Sequence, residues 1–121
     1  MANKILVIDD NSDDLLIIKR CLNEAGYKEV ITAGDGKEGI QKAGDERPEL
    51  VIIDTILPEM DGFEVCRRIR EFLDPAGHKI IVITGSVDAV DAVRARKSGA
   101  DDYCAKTSSF SALVDIVRRI L

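Results

Sequence analysis

The chain has no tryptophan, only three prolines and three cysteines, and fewer basic than acidic side chains, 17 against 22 in 121 residues. Each shortage excludes something. A net charge of −5 leaves no basic face for a phosphate backbone, which argues against nucleic acid as a direct partner. No apolar run exceeds five residues, far short of the roughly 20 that a helix needs to cross a bilayer. Asp9 and Asp10 break the first apolar stretch before a signal-peptide core could form. Cys21, Cys66 and Cys104 are odd in number and lack CxxC spacing, so they read as reduced, mostly buried thiols of a cytoplasmic protein. Repeats, low-complexity tracts and linkers are missing too. What remains is the composition of one ordinary domain, 45% hydrophobic and rich in Val, Ile and Leu, which can bury a core without a disulfide or metal staple.

Short dense apolar runs alternate with longer periodic ones. Ile5–Ile8, Val30–Ala33, Leu50–Ile53, Ile80–Ile83 and Tyr103–Ala105 are the short runs. The first, third and fourth are continuous, as strands buried on both faces of a parallel sheet should be. Between them lie five helical stretches. Ser12 is expected to cap the first, with Leu15, Ile18, Leu22 and Ala25 inward and Gly26 as its stop. The second runs from Asp35 to Gly44 with a Glu38–Lys42 pair. Asp61 caps the third, with Val65, Ile69 and Phe72 inward and Glu64–Arg68 and Arg67–Glu71 pairs outside. Ser86 opens the fourth, with Val90, Val93 and Lys97 in periodic positions, and Gly99 ends it. One of Thr107, Ser108 and Ser109 caps the fifth, whose stripe is Phe110, Leu113, Val114, Val117 and Leu121. Strict alternation predicts an α/β domain, a flavodoxin-like (βα)5 doubly wound parallel sheet in strand order 2-1-3-4-5.

In such sheets ligands bind beyond the carboxyl ends of the strands, beside the switch point between strands 1 and 3. Asp9 and Asp10 follow strand 1, Asp54 strand 3, Thr84 strand 4 and Lys106 strand 5. Three converging carboxylates repel one another unless a cation joins them, and Mg²⁺ is commonly held by one or two carboxylates plus a phosphate. An incoming phosphoryl group needs that cation, an ammonium (Lys106) and a hydroxyl (Thr84) to spread its charge. Asp54 projects alone from its strand as the nucleophile, so the inferred chemistry is reversible formation of an aspartyl phosphate. Asp10 could instead simply cap the first helix. Five such residues on one edge of the sheet make that reading insufficient for the set.

These residues resemble the response-regulator receiver domain of bacterial two-component signalling, single-domain and chemotaxis-regulator-like. The resemblance covers essentially the whole chain. It is strongest at Leu6-Val7-Ile8-Asp9-Asp10, at Asp54-Thr55-Ile56-Leu57-Pro58-Glu59-Met60-Asp61-Gly62, and at Gly99-Ala100-Asp101-Asp102-Tyr103 leading to Lys106. It implies a phosphorylation-dependent switch rather than an enzyme, with Asp54 as the phosphoacceptor and Thr84 and Lys106 assisting. It also implies a metal, Mg²⁺ or Mn²⁺, at Asp10, Asp54 and the backbone carbonyl of Ile56, with Asp9 acting largely through water. Thr84 would be the switch hydroxyl and Tyr103 the aromatic residue that changes rotamer with it. A sensor histidine kinase or phosphotransfer protein is the implied donor. A downstream protein target would be bound through the face between Val87 and Leu121, and phosphorylation could drive homodimer formation. Ile116, Ile120, Leu16 and Ile17 are further candidate contact residues. The fifth helix reaches Leu121, so residues 1–121 are expected to be a receiver domain without an effector domain. Thr107 stands where the family usually has proline, often through a cis bond; for Thr107 that bond would cost about 2.5–4 kcal/mol, so either the cost is met locally or the bond is trans.

Other readings compete. Gly34-Asp35-Gly36-Lys37-Glu38-Gly39 is a formal GxGxxG after a strand, but Asp35 would face a pyrophosphate with its own charge, and no second mononucleotide half exists. A flavodoxin would need hydroxyls and amide donors where Asp9 and Asp10 stand. A receiver-like interaction module that no longer takes phosphate is the main alternative, and the intact acids, Thr84 and Lys106 weigh against it.

Overall fold

The computed structural model describes residues 3–85, 89–106 and 109–121. Its strands are β1 (Lys4–Ile8), β2 (Glu29–Ala33), β3 (Leu50–Asp54), β4 (Lys79–Thr84) and β5 (Asp102–Ala105). Its helices are α1 (Ser12–Glu24), α2 (Gly36–Glu46), α3 (Gly62–Arg70), α4 (Ala89–Lys97) and α5 (Ser111–Ile120). All strand pairs are parallel, in the order β2-β1-β3-β4-β5. The predicted flavodoxin-like topology is therefore the observed one, and the strands outrun their apolar runs by a residue or two.

The continuous apolar runs are explained by a sheet covered on both sides. Successive side chains point to opposite faces. Leu6, Ile8, Val51, Ile53, Ile80 and Val82 pack with Val65, Cys66 and Ile69 of α3, Ala43 of α2 and Ala95 of α4. Their neighbours Ile5, Val7, Leu50, Ile52, Ile81 and Ile83 pack with Ile18 and Leu22 of α1 and Leu113 and Val117 of α5. Each layer holds one buried free thiol, Cys66 in the first and Cys104 in the second, while Cys21 is half-buried. Burial pushes the Cys66 thiol up to about 11 and raises that of Cys104 as well.

Several helix ends differ from the sequence expectation. Asn11, not Ser12, caps α1, its side chain accepting the N–H groups of Asp13 and Asp14. An amide oxygen one residue earlier reaches those donors, so Ser12 becomes the first helical residue. Phe110, its ring buried in the core and without an acceptor, occupies the N-cap position of α5 with φ 54°, while Ser109 Oγ accepts the Ser111 N–H at 3.4 Å. Thr107 and Ser108 lie outside the described residues, as does Ser86. Among the described side chains of α4 the buried one is Ala95, with Val93 and Lys97 exposed, and that of Val90 lies outside the described residues; a small side chain suits the face against the sheet. On α3, Arg67 pairs with Glu64 rather than Glu71, and Arg68 shares the same carboxylate. Phe72 is more than a third exposed. Asp61 caps α3, Glu38 pairs with Lys42, and Gly26 and Gly99 end α1 and α4 at positive φ as expected.

The glycine-rich segment has a packing role. Asp35 accepts the Glu38 N–H, and Glu38 in turn accepts the Gly34 N–H, so two of the segment's donors are used by its own carboxylates. A Cβ at Gly36 or Gly39 would lie 2.7 Å from Val65 or 2.4 Å from Ile8. These glycines let α2 approach α3 and β1.

Candidate functional site

The carboxyl ends of β1, β3, β4 and β5 bring the expected residues together. Asp9 follows β1 directly, and its N–H donates to the Ala33 carbonyl at 3.1 Å, which fixes it to the end of β2. Its side chain is fully buried, and Oδ1 accepts the Asn11 N–H at 2.9 Å. Asp54 ends β3 and is nearly buried, its Oδ1 accepting the Ile56 N–H at 3.1 Å. Asp10 is exposed beside them. Carboxylate oxygens of Asp9, Asp10 and Asp54 all lie within 4.8 Å of one another.

One ammonium faces this cluster. The N–H of Lys106 donates to the Thr84 carbonyl at 2.6 Å, setting the residue just past β5. Its Nζ lies 2.9 Å from Asp54 Oδ2, 2.8 Å from Asp9 Oδ2 and 2.7 Å from Asp14 Oδ2. Burial lowers the affinity of this amine for its proton, but bonds to Asp14, Asp9 and Asp54 outweigh that and hold its pKa well above the usual lysine value. Asp9 is pushed the other way for a carboxyl: burial raises its pKa and the nearby Asp54 charge adds to that, against the lowering effects of Lys106 and the Asn11 N–H.

Two hydroxyls complete the wall. Thr84, buried at the end of β4, has Thr55 Oγ1 at 3.2 Å from its own Oγ1. Thr55, Thr84, Ile56, Asp61, Phe63, Asp91 and Arg94 border a cavity of about 210 Å³ beside the acids. The Arg94 guanidinium lies over the Phe63 ring, 4.2 Å from its centroid. Ile56 is 72% exposed at this rim. Tyr103 stands apart from the acids; it packs half-buried on the α2–α4 layer, beside a cavity of about 130 Å³ under α4.

The donor set fits a hard divalent cation. It offers oxygen alone, it is net negative, and Asp9 Oδ2 is buried with the Lys106 ammonium 2.8 Å away in poor hydrogen-bond alignment. The Ile56 carbonyl is the remaining expected donor, on a residue already tied to Asp54 through its N–H. The peptide bond between Lys106 and Thr107 lies outside the described residues.

Residues 5–118 match the family model described as the response regulator receiver domain. The chain belongs to that family. This receiver domain is 38% identical over 109 residues to the alkaline phosphatase synthesis transcriptional regulatory protein PhoP of Bacillus subtilis, covering 90% of this chain and 44% of that protein. It is 37% identical to the transcriptional regulatory protein AfsQ1 of Streptomyces coelicolor, covering 97% of this chain and 50% of the relative. The chain thus spans about half the length of these curated relatives. Among solved structures, the Vibrio cholerae chemotaxis protein CheY4 superposes with a TM-score of 0.92 at 28% identity over the whole of both chains. The response regulator TrrA of Thermotoga maritima, solved in complex with Mg²⁺ and BeF, gives 0.86 at 32% identity, over 98% of this chain and 99% of that one. As a member of this family, the receiver domain is a component of two-component response regulators.

Sequence reasoning missed three parts of the site. Asp14 reads in the sequence as an ordinary acid of the first turn of α1, because its partner Lys106 belongs to another element. Thr55 stands in the sequence only as part of the Asp54–Gly62 stretch, with no sign of its contact to Thr84. Gly62 closes the same stretch for a steric reason that only the fold reveals: a Cβ there would meet the Asp54 carbonyl oxygen at 2.1 Å.

Proposed function

We propose that this receiver domain is a phosphorylation-controlled signalling switch whose phosphoacceptor is Asp54. The observation that carries the reading is the position of the Asp54 carboxylate, bonded to the Lys106 ammonium on one side and grouped with the Asp9 and Asp10 oxygens on the other. A nucleophilic oxygen, an ammonium and a divalent-cation donor set then share one small volume. Transfer from a phosphohistidine breaks the P–N bond of the donor, whose electron pair returns to the imidazole. A P–O bond forms to Asp54. When bound at Asp9, Asp10, Asp54 and the Ile56 carbonyl, Mg²⁺ or Mn²⁺ would neutralise charge on the phosphoryl oxygens. Lys106 supplies a mobile positive charge, and Thr84, already at the rim, supplies the hydroxyl that turns to the phosphoryl group. The donor is a histidine kinase or phosphotransfer protein. The chain acts as a substrate that assists its own phosphorylation and slow dephosphorylation rather than as an enzyme on other molecules.

Output follows from two conformations that differ in affinity for the phosphoryl group. Tyr103, beside open space under α4, is the side chain with room to change rotamer as Thr84 moves. We place the partner-binding face on α4, β5 and α5. Leu16 is exposed on α1 and remains a contact candidate, whereas Ile116 and Ile120 are partly buried against the core.

Incubation with phosphoramidate and Mg²⁺ should add the mass of one phosphoryl group, mapped to the peptide holding Asp54 and missing from Asp54→Asn. An unmodified native chain would replace the switch by the silent interaction module. Dephosphorylation offers a second expectation. The exposed apolar side chain of Ile56 cannot orient an attacking water by hydrogen bonding. Ile56→Asn should therefore lose its phosphoryl group faster than the native domain, by about ten-fold if one oriented water is gained. A slower decay in the variant would contradict this.

A further inference from the structure

Asp14 lies outside the residues that the phosphoacceptor reading uses, yet it contacts Lys106 as closely as Asp9 and Asp54 do. Its Oδ2 is 2.7 Å from Nζ, against 2.8 Å for Asp9 and 2.9 Å for Asp54. An acid in the first turn of a helix commonly complements the macrodipole, and that alone would explain Asp13, its exposed neighbour. It does not explain why the Asp14 carboxylate is directed across the site to a lysine on another element. The backbone sets this direction. Asn11 accepts the Asp14 N–H at 3.1 Å, holding residue 14 in the first turn with its side chain on the side of β5.

We propose that Asp14 is a positioning residue for phosphoryl uptake, drawing the Lys106 ammonium toward α1 and opposing donors that carry the greater negative charge. The inference rests on the phosphoacceptor reading of Asp54. Asp14 and Asp54 both lie within 3 Å of one nitrogen, so their oxygens are within about 6 Å of each other, where charges interact strongly in a partly desolvated site. Lys106 must serve the phosphoryl oxygens as they reach Asp54, and every contact it keeps with Asp14 competes with that service. The fourth carboxylate also adds to the negative charge of Asp9, Asp10 and Asp54, which a dianion feels more than a monoanion. Asp14 thereby biases the site away from small dianionic phosphodonors, leaving uptake to donors that bring binding energy from a protein surface.

Two donors and two variants separate this from a general charge effect. Acetyl phosphate is a dianion at neutral pH and releases acetate as its P–O bond breaks. Phosphoramidate is a monoanion and releases ammonia, whose nitrogen takes a proton. With Mg²⁺ present, Asp14→Asn should raise the uptake rate from acetyl phosphate relative to phosphoramidate by about three- to ten-fold. Asp13→Asn, with the same change in net charge, should leave the ratio as it is. An unchanged ratio in Asp14→Asn, or an equal rise in Asp13→Asn, overturns the proposal. A second measurement uses the metal-free chain: the lysine side-chain ¹⁵N spectrum, with the Lys106 ammonium assigned by its loss in Lys106→Met. That signal should shift or vanish by exchange in Asp14→Asn and stay in Asp13→Asn. If the native chain takes phosphate from neither donor, the phosphoacceptor reading fails. The spectrum alone then decides the positioning role: a shifted signal supports it, and an identical one overturns it.

Discussion

Lys106→Met should cost the metal-free protein about 3–5 kcal/mol at neutral pH, the usual penalty for removing one partner of a buried charge pair. Asp9 is fully buried and Asp54 nearly so, and both rely on this ammonium. Methionine keeps the bulk of the chain and removes the charge, leaving two buried carboxylates and half-buried Asp14 to repel one another. The pH dependence identifies the cause. The Asp9 carboxyl already titrates above its ordinary 3.8 because of burial, despite the lowering effect of Lys106. Without Lys106 it must titrate higher still. A group with a raised folded-state pKa contributes stability that is full below its unfolded value and lost as pH rises through the folded one. The variant should therefore regain stability on acidification from neutrality toward 3.8, by more than the native domain does. Lys106 itself titrates above its ordinary 10.5, so its stabilising charge is present throughout this range. Urea unfolding at several pH values in a chelating buffer is the measurement. A loss that does not depend on pH would mean that packing, not charge, was removed. Added Mg²⁺ should recover part of the loss by binding the folded state alone.

Gly62→Ala is expected to destabilise the domain by about 3 kcal/mol or more, at the upper end of overpacking effects. In an open helix interior the change would be favourable by about 1 kcal/mol, since alanine is the better helix former. The sign is reversed here because the new Cβ would sit 2.1 Å from the Asp54 carbonyl oxygen and 2.8 Å from the Thr55 Cα. Both obstacles are backbone, so no rotamer change relieves them. Gly62 N–H also donates to the Thr55 carbonyl at 3.0 Å, so moving α3 away breaks the bond that clamps it to the end of β3. Phosphoryl uptake should fall with stability, because the displaced segment carries Asp54. At Gly39 the obstacle is the Ile8 side chain, and the corresponding variant should be milder. Equal stability of native and Gly62→Ala in urea unfolding would refute the clamp.

The sheet was legible because its central strands are buried on both faces, which writes β1, β3 and β4 into the sequence as unbroken apolar runs. Strand order followed from alternation and handedness, and the order then placed Asp9, Asp10, Asp54, Thr84 and Lys106 on one edge. Helix caps were less legible. Asn11 and Ser12 are both good capping residues, and only the backbone path decides which side chain reaches the free N–H groups. In α4, exposed Val93 and buried Ala95 show that hydrophobicity alone does not mark the inward face where a helix lies close to the sheet. Asp14 and Gly62 stayed hidden for different reasons: one acts across the fold on another element, and the other acts through an atom it lacks.

The two buried thiols have a use unrelated to signalling. Cys66 lies in the layer of α2, α3 and α4, and Cys104 in the layer of α1 and α5, on opposite sides of one sheet. Burial suppresses the thiolate of each, so neither reacts until its layer opens. The molecule therefore carries a separate chemical reporter for each side, and half-buried Cys21 adds a third on α1. Thiol labelling followed cysteine by cysteine can time the loosening of the two layers independently, with no foreign label built into the chain.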